Sequence, residues 1–315
     1  MNTLKQLKNS ISLIGSSNYD VMLKVNEIPI AGETVLATGV KIGFGGKGAN
    51  QAMTIAKLGV DIKFFTCIGN DIFGKLYLDN FRKNKINLEF IEIIENDNNG
   101  IAVINVDKEG RNNIVVYPGA NSHLTTDMII KNEKDIFSSK LIITQLEIPL
   151  SSVELIARKK SNNNVFILNP SPLDKNVNYD LILKNVDILV SNEIELAQLS
   201  GIKIDELKSL DVATKKLLEK GVKTVVVTLG SKGAFVSNKD IKEHLDVVEV
   251  KVVDTEGAGD IFMGSFACSY LKSSDIIKSV KFANEVATIS VTRYGTQKSI
   301  PNDKELNEIN KMFNM

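Results

Sequence analysis

Between Leu141 and Thr228 short apolar runs alternate with helix-like segments, and this rhythm restricts the possible folds more than any other feature of the chain. The runs Leu141–Gln145, Val165–Asn169, Ile188–Ser191 and Val225–Thr228 have strand length. Segments with helical spacing fall between most of them, around Ser152–Lys160, Glu193–Leu199 and Val212–Lys220. Such alternation predicts a parallel sheet covered on both faces. In sheets of this kind ligands gather at the carboxyl ends of the strands. Asn18, Gly46, Glu147, Asn192, Thr228 and Asp260 all follow predicted strands or sit in turns leading to helices, so one cleft could collect them.

The first half of the chain is less regular. Ile11–Ile14 reads as a short strand, and Val21–Val25 and Thr34–Ile42 as two more, separated by Pro29, Gly32 and Glu33. A glycine-rich stretch from Gly43 opens a helix that stops at Gly59. Lys63–Cys67 is the next strand and Asp71–Lys85 the next helix. Phe90–Ile94, Ile101–Val106 and Asn113–Val116 then come as strands without helices between them, a second, antiparallel patch.

Chemistry is concentrated in Val250-Lys-Val-Val-Asp-Thr-Glu-Gly-Ala-Gly-Asp260 and the apolar segment after it. The β-branched start predicts a buried strand, Gly257 and Gly259 a tight turn, and Ile261–Leu271 a helix. The first N–H groups of a helix lack internal partners and carry partial positive charge. Small residues at 257–259 let an anion approach that backbone. A carboxylate at Asp260 could then take a proton from an attacking hydroxyl beside the anion, as phosphoryl transfer to an alcohol requires. The same residues also suit a plain N-cap and turn.

Other segments have double readings too. Phe44–Asn50 offers Lys47 and Asn50 as donors to a polyhydroxyl ligand, or is simply a glycine turn; it is no Walker loop, because Gly48 comes after Lys47. Thr228–Gly233 could hold phosphates or form a hairpin. Asn192 and Glu195 could face nucleotide or metal-bound water, or Ser191 or Asn192 could cap a helix. Asn18 and Asp20 suit sugar hydroxyls or an Asx turn.

Composition narrows the class. Over 315 residues, Lys plus Arg and Asp plus Glu both number 38, so no global basic surface advertises nucleic acid or anionic membrane. No apolar run approaches a membrane span, and Ile11–Ile14 behind a polar start is too short for a signal core. Cys67 and Cys268 are expected as reduced, packed thiols, and the protein as cytoplasmic. His123 and His244 stand alone, without ligand spacing for zinc, and no Gly-x-Ser-x-Gly elbow supports a hydrolase.

An ordered series of motifs carries a resemblance. It comprises Gly15-Ser-Ser-Asn-Tyr-Asp20, Pro29-Ile-Ala-Gly-Glu-Thr34, Gly45-Gly-Lys-Gly-Ala-Asn-Gln-Ala52, Pro118-Gly-Ala-Asn121, Gln145-Leu-Glu147, Asn169-Pro170, Ser191-Asn-Glu193, Thr228-Leu-Gly-Ser-Lys-Gly233 and Asp254-Thr-Glu-Gly-Ala-Gly-Asp260. Nearly end to end, the chain resembles the ribokinase family of sugar kinases, often named after the minor bacterial phosphofructokinase.

The resemblance implies a three-layer α/β sandwich over residues 1–315, with a mostly parallel central sheet and a small antiparallel β lid at about 18–42 and 89–117. It implies ATP-dependent phosphorylation of D-ribose at O5, with sibling activities on deoxyribose, another pentose or a nucleoside as alternatives and a non-catalytic sugar sensor as a rival of another class. Asp260 would be the general base, and the Gly257–Asp260 turn, through the N–H groups of Ala258, Gly259 and Asp260, the anion hole. Asn18, Asp20, Gly46, Lys47, Gly48, Ala49, Asn50 and Glu147 would bind the sugar. Asn192, Thr228, Leu229, Gly230, Ser231, Lys232, Gly233 and Asn284 would line the ATP site. Glu193 and Glu195 would organise the waters of Mg²⁺. Asp254, Glu256, Ser290, Arg293, Gly295 and Ser299 would surround an activating monovalent cation, usually K⁺; Glu256 stands where Thr or Ile is commoner. Two lids would pack together in a homodimer.

Overall fold

The computed structural model describes residues 7–314; most of the polar amino-terminal stretch lies outside the described residues. The strands are β1 (Lys8–Ile14), β2 (Asn18–Lys24), β3 (Gly39–Gly45), β4 (Ile62–Gly69), β5 (Ile91–Ile94), β6 (Gly100–Val106), β7 (Asn112–Tyr117), β8 (Ser139–Thr144), β9 (Val165–Leu168), β10 (Ile188–Asn192), β11 (Thr224–Thr228), β12 (Ala234–Asn238) and β13 (Lys242–Leu245). Nine of them form one sheet in the order β13-β12-β11-β10-β9-β8-β1-β4-β5. From β11 to β5 every neighbouring pair is parallel, and β12 and β13 close one edge as antiparallel hairpins.

Alternate residues of the central strands enter two cores, one on each face. In β1, Ile11 and Leu13 join the first and Ile14 the second; in β8, Leu141 and Ile143 join the first and Ile142 the second. The first core is roofed by the helices Lys47–Lys57, Ile72–Lys83, Ala258–Ser273, Ile276–Ser290 and Asp303–Met312. The second is covered by Leu150–Lys159, Glu193–Ser200 and Leu207–Glu219. Because both faces need apolar cover, these strands read as continuous hydrophobic runs rather than alternating ones. The parallel sheet with helices on both sides agrees with the expected architecture.

A separate four-stranded sheet has the order β3-β2-β6-β7. Its outer pairs are antiparallel, and its middle pair, β2 with β6, runs parallel. Phe90–Ile94 does not belong to it, contrary to expectation. β5 lies parallel to β4, with Thr66 opposite Ile91 and Gly69 opposite Ile94. The Ile72–Lys83 helix between β4 and β5 makes them a β-α-β crossover, which returns the chain to the same sheet in parallel. A short isoleucine run has no periodicity that could have told the two sheets apart. Similarly, ladder pairing begins at Gly39 rather than Thr34, and Leu36 before it is exposed.

The expected strand at Val250–Val253 is also absent. Val252 and Val253 are 52% and 37% exposed, and the N–H groups of Val253 and Asp254 both donate to Val291 O, at 2.8 and 3.2 Å. β propensity measures fit to a half-buried pleat, and here the segment runs against a helix end with no strand edge to join. The helix it leads to behaves as expected. Ala258–Ser273 is buried on nearly every side and packs on Ile276–Ser290 and Lys47–Lys57. Phe266, fully buried, stacks between Phe262 and Tyr270 with centroids 6.4 and 5.8 Å away. Phe266→Ala should lower unfolding stability by about 3–5 kcal/mol, read by chemical denaturation.

Candidate active site

The first half of the site forms where β1 hands over to β2 and β3 to the Lys47–Lys57 helix. Gly46 has φ +81°, and a Cβ there would lie 2.5 Å from the Asn18 N–H nitrogen, so only glycine lets the helix start against β2. Glu147, just past β8, accepts from Ser16 Oγ at 2.5 Å, Lys47 N at 3.0 Å and Asn18 Nδ2 at 3.5 Å. Its carboxylate thus sits on the positive end of that helix. Asn18 makes no Asx turn; its Oδ1 accepts from Asn121 Nδ2 at 2.7 Å, and Asn121 Oδ1 accepts from Ser17 N. A cavity of about 420 Å³ opens beside these groups, lined by Asn18, Val116, Pro118, Asn121, Glu147 and Pro172.

Asp20 projects from β2 over Gly45, where any Cβ would collide with its carboxylate. Burial, then the charges of Glu256, Glu147 and Asp260, push its carboxyl up to about 8. Lys47 is the counterweight. Burial works against its charge, but Asp260, Glu147 and Glu195 outweigh this and hold the ammonium above its usual range.

The second half is the start of the Ala258–Ser273 helix. Gly257 is the N-cap in the left-handed region, φ +74°, and no side chain caps this helix. Asp260 is therefore not there as a cap. Only 7% exposed, it turns across to the Lys47–Lys57 helix, accepting from Asn50 Nδ2 at 3.0 Å and Gln51 Nε2 at 3.1 Å. Ala258 N donates to Thr255 O at 3.2 Å, whereas the Gly259 and Asp260 N–H groups make no hydrogen bond among the described residues. A Cβ on Gly259 would meet no atom within 4 Å, so this free backbone faces open space. Two bare helix donors beside a buried carboxylate have the chemistry to receive an anion and, next to it, a proton.

At the carboxyl ends of β10 and β11, Asn192 and Thr228 lie opposite each other in register. Asn192 caps the Glu193–Ser200 helix in a reciprocal box: its Oδ1 accepts from Glu195 N at 2.8 Å, and Glu195 Oε2 accepts from Asn192 N at 3.0 Å. Capping, one of the two readings of this pair, is therefore its structural role, and it fixes Asn192 and the half-exposed Glu193 at the rim. Burial pushes the Glu195 carboxyl up. Thr228–Gly233 is a β11–β12 hairpin turn, closed by Leu229 N on Gly233 O at 2.8 Å, with Gly230, Ser231 and Lys232 forming its short 3₁₀ tip. Asn284, nearly buried, donates to Leu245 O at 3.5 Å from the neighbouring helix.

Beyond the start of the Ala258–Ser273 helix, Asp254 ties two loops together. Its Oδ1 accepts from Glu256 N and its Oδ2 from Gly295 N, each at 3.0 Å. Burial, then Asp254, pushes the Glu256 carboxyl up. Lys41 of β3 reaches Asp254 Oδ2 at 3.6 Å and lies over the Tyr294 ring. Ser290 and Ser299 hydroxyls donate to helix carbonyls, and the Arg293 guanidinium turns away to Glu305. Sequence reasoning gave no role to Gln51, Gln297, Ser16, Asn121 or Lys41. Nothing in residue order marks an amide as pointing at a carboxylate rather than at solvent.

The raised Asp20 gives a testable pH dependence. The unfolded chain releases this proton near the ordinary value of 3.8, while the native protein holds it to about 8, so rising pH through that window favours unfolding. Asp20→Asn removes the penalty. Its melting temperature should exceed that of the parent at pH 8–9, with the difference shrinking toward pH 4; a constant difference would contradict the burial of this charge.

The pfkB family carbohydrate kinase model matches residues 8–303. Over 300 residues the chain is 36% identical to a ribokinase of Haemophilus influenzae, covering 95% of this chain and 97% of that one. It is also 36% identical over 299 residues to a deoxyribokinase of Salmonella typhi, with the same coverage, 95% and 97%. The structure of Arabidopsis thaliana ribokinase complexed with ribose and ATP matches at a TM-score of 0.88 and 28% identity, covering 95% of this chain and 98% of that one. With a family match over almost its whole length and relatives this similar, the chain belongs to the pfkB family of carbohydrate kinases.

Proposed function

We propose that this protein transfers the γ-phosphoryl group of ATP to O5 of D-ribose, giving ribose 5-phosphate and ADP. The observation that carries the reading is Asp260, a buried carboxylate that caps nothing and lies beside the bare N–H groups of Gly259 and Asp260. In the reaction Asp260 takes the proton of the sugar hydroxyl, O5 bonds to the γ-phosphorus, and the bond to the ADP oxygen breaks. The free N–H groups, with Ala258 added if its weak bond to Thr255 opens, hold the equatorial oxygens as charge builds.

Asn18 and Glu147, which line the cavity, would take ring hydroxyls together with Asp20, Lys47 and the Gly46 backbone; Gly48 and Ala49, whose N–H groups donate to Ser16, would shape the wall of the sugar site. Asn50 spends one amide hydrogen on Asp260 and keeps the other for the sugar. Asn192, the Thr228–Gly233 turn and Asn284 take the nucleotide. The ribokinase relatives support ribose; the equally similar deoxyribokinase keeps deoxyribose as the alternative acceptor. A sensor that had lost catalysis would not need the base or the bare helix turn.

Glu193 and the buried Glu195 beside Lys47 are hard oxygen donors that suit Mg²⁺ held mainly through water. When bound, the ion screens the phosphate charge. A monovalent cation such as K⁺ would be held between the loops joined by Asp254, with Asp254, Glu256, Ser290, Arg293, Gly295 and Ser299 supplying oxygens, several of them through backbone carbonyls. Lys41 competes for the same carboxylate. β2, β3, β6 and β7 act as a lid that excludes water during transfer. The row Ile42, Val21, Val103 and Val115 crosses that sheet, and three of these residues, Ile42, Val103 and Val115, are 58%, 36% and 67% exposed, which supports pairing of two lids in a homodimer. The buried free thiols of Cys67 and Cys268 support the reducing cytoplasm as its compartment, and among the described residues no helix is long and apolar enough to cross a membrane.

Asp260→Asn tests the assignment. Ribose-dependent ADP formation should fall at least about 10³-fold, while calorimetric ribose binding stays within a few-fold of the parent. Near-normal turnover would remove Asp260 as the base.

A further inference from the structure

An amide has one accepting and one donating side, so its orientation carries information. Asp260, as a carboxylate, only accepts, and Asn50 must offer it Nδ2 rather than Oδ1. The groups that keep Asn50 facing that way lie behind the cleft. Gln297 Nε2 donates to Asn50 Oδ1 at 3.1 Å. Gln297 is in turn oriented by Asn80 Nδ2, which donates to its Oε1 at 2.9 Å, and Asn80 Oδ1 accepts from Asn84 Nδ2 at 3.2 Å. The second amide hydrogen of Gln297 goes to Tyr77 Oη at 3.4 Å, and that hydroxyl donates to Gly45 O. From Asn84 through Asn80, Gln297 and Asn50, every donation along this row points toward Asp260.

We propose that Gln297 is a positioning residue: by donating to Asn50 Oδ1 it fixes the face that Asn50 turns to Asp260. It touches neither sugar nor phosphate. A flipped Asn50 would set its carbonyl against the carboxylate, misaligning Asp260 and making its ionised form harder to hold. The inference rests on Asp260 being the base. The charged groups facing Asp260 are Lys47 from the Lys47–Lys57 helix, Asp20 from β2 and Glu195 from the Glu193–Ser200 helix, and none of them is altered by changing Gln297.

Two replacements separate orientation from packing. Gln297→Glu keeps the shape, and its ionised carboxylate can only accept, so in the pH range where it is ionised Asn50 must turn Nδ2 to it and Oδ1 to Asp260. Gln297→Met fills the space and leaves Asn50 free to stay. Orientation control predicts the larger loss in the isosteric variant: kcat down roughly 100-fold for Glu and roughly 10-fold for Met, with the acid limb of the Met profile moved upward by up to about one pH unit. A packing role predicts the reverse order and an unmoved limb, and either result overturns the proposal. Should Gln297→Glu fail to fold by circular dichroism, Asn80→Asp strips the donor from Gln297 Oε1 and should lower kcat with the same limb shift; unchanged kcat and limb there would also overturn it. Asp260→Asn in the same assay keeps the two readings apart: turnover there removes the base, whereas loss there with Gln297 variants ranked by size removes only the relay.

Discussion

Burying an ionised carboxylate is costly, and the arrangement of this molecule depends on how the cost at Asp260 is met. A carboxylate in the first turn of a helix gains from the positive end of the dipole, and here two amides on a facing helix supply direct donors. Both helices must therefore be held at fixed separation. The largely buried Ala258–Ser273 helix, packed against Ile276–Ser290 and Lys47–Lys57, holds that separation mainly through its apolar contacts. Gly264 marks the closeness: a Cβ there would stand 2.8 Å from Thr54 on the neighbouring helix.

The free site is electrostatically unbalanced. Asp260, Glu147 and Glu195 surround Lys47, and the charges of Glu256, Glu147 and Asp260 act on the buried Asp20. Hydroxyls of a bound sugar could answer Asp20 and Glu147, and the anionic nucleotide would meet the bare N–H groups and Lys47. Strain of this kind costs stability in the free protein and is relieved by groups that answer these charges. Lys41, carried by β3 and paired with Asp254, links the four-stranded sheet to the loop preceding the Ala258–Ser273 helix.

Much of the architecture was readable in residue order because parallel strands buried on both faces leave uninterrupted apolar runs. β8, β9, β10 and β11 fall where Leu141, Val165, Ile188 and Val225 begin theirs. Where partners decide, the signal failed: Ile91–Ile94 joined β4, and Val250–Val253 formed no strand. The site shows the same division. Glycines and acids in the Asp254–Asp260 turn point to an anion pocket through helix physics alone. The duties of Gln51, Gln297 and Asn121 depend on which way an amide faces, which residue order does not encode. At Asn192 and Glu195 the local spacing suited a cap as well as a ligand, and the structure realises the cap.

The most direct test of the kinase reading is ADP release with ATP and Mg²⁺, comparing D-ribose, 2-deoxyribose, fructose 6-phosphate and adenosine, each with K⁺ or Na⁺. Turnover should depend on ribose, exceed that on the other three acceptors, and be stimulated by K⁺. Preference for 2-deoxyribose or adenosine would contradict the substrate while leaving the transfer chemistry in place. No ADP release above background with any acceptor would contradict phosphoryl transfer at this site.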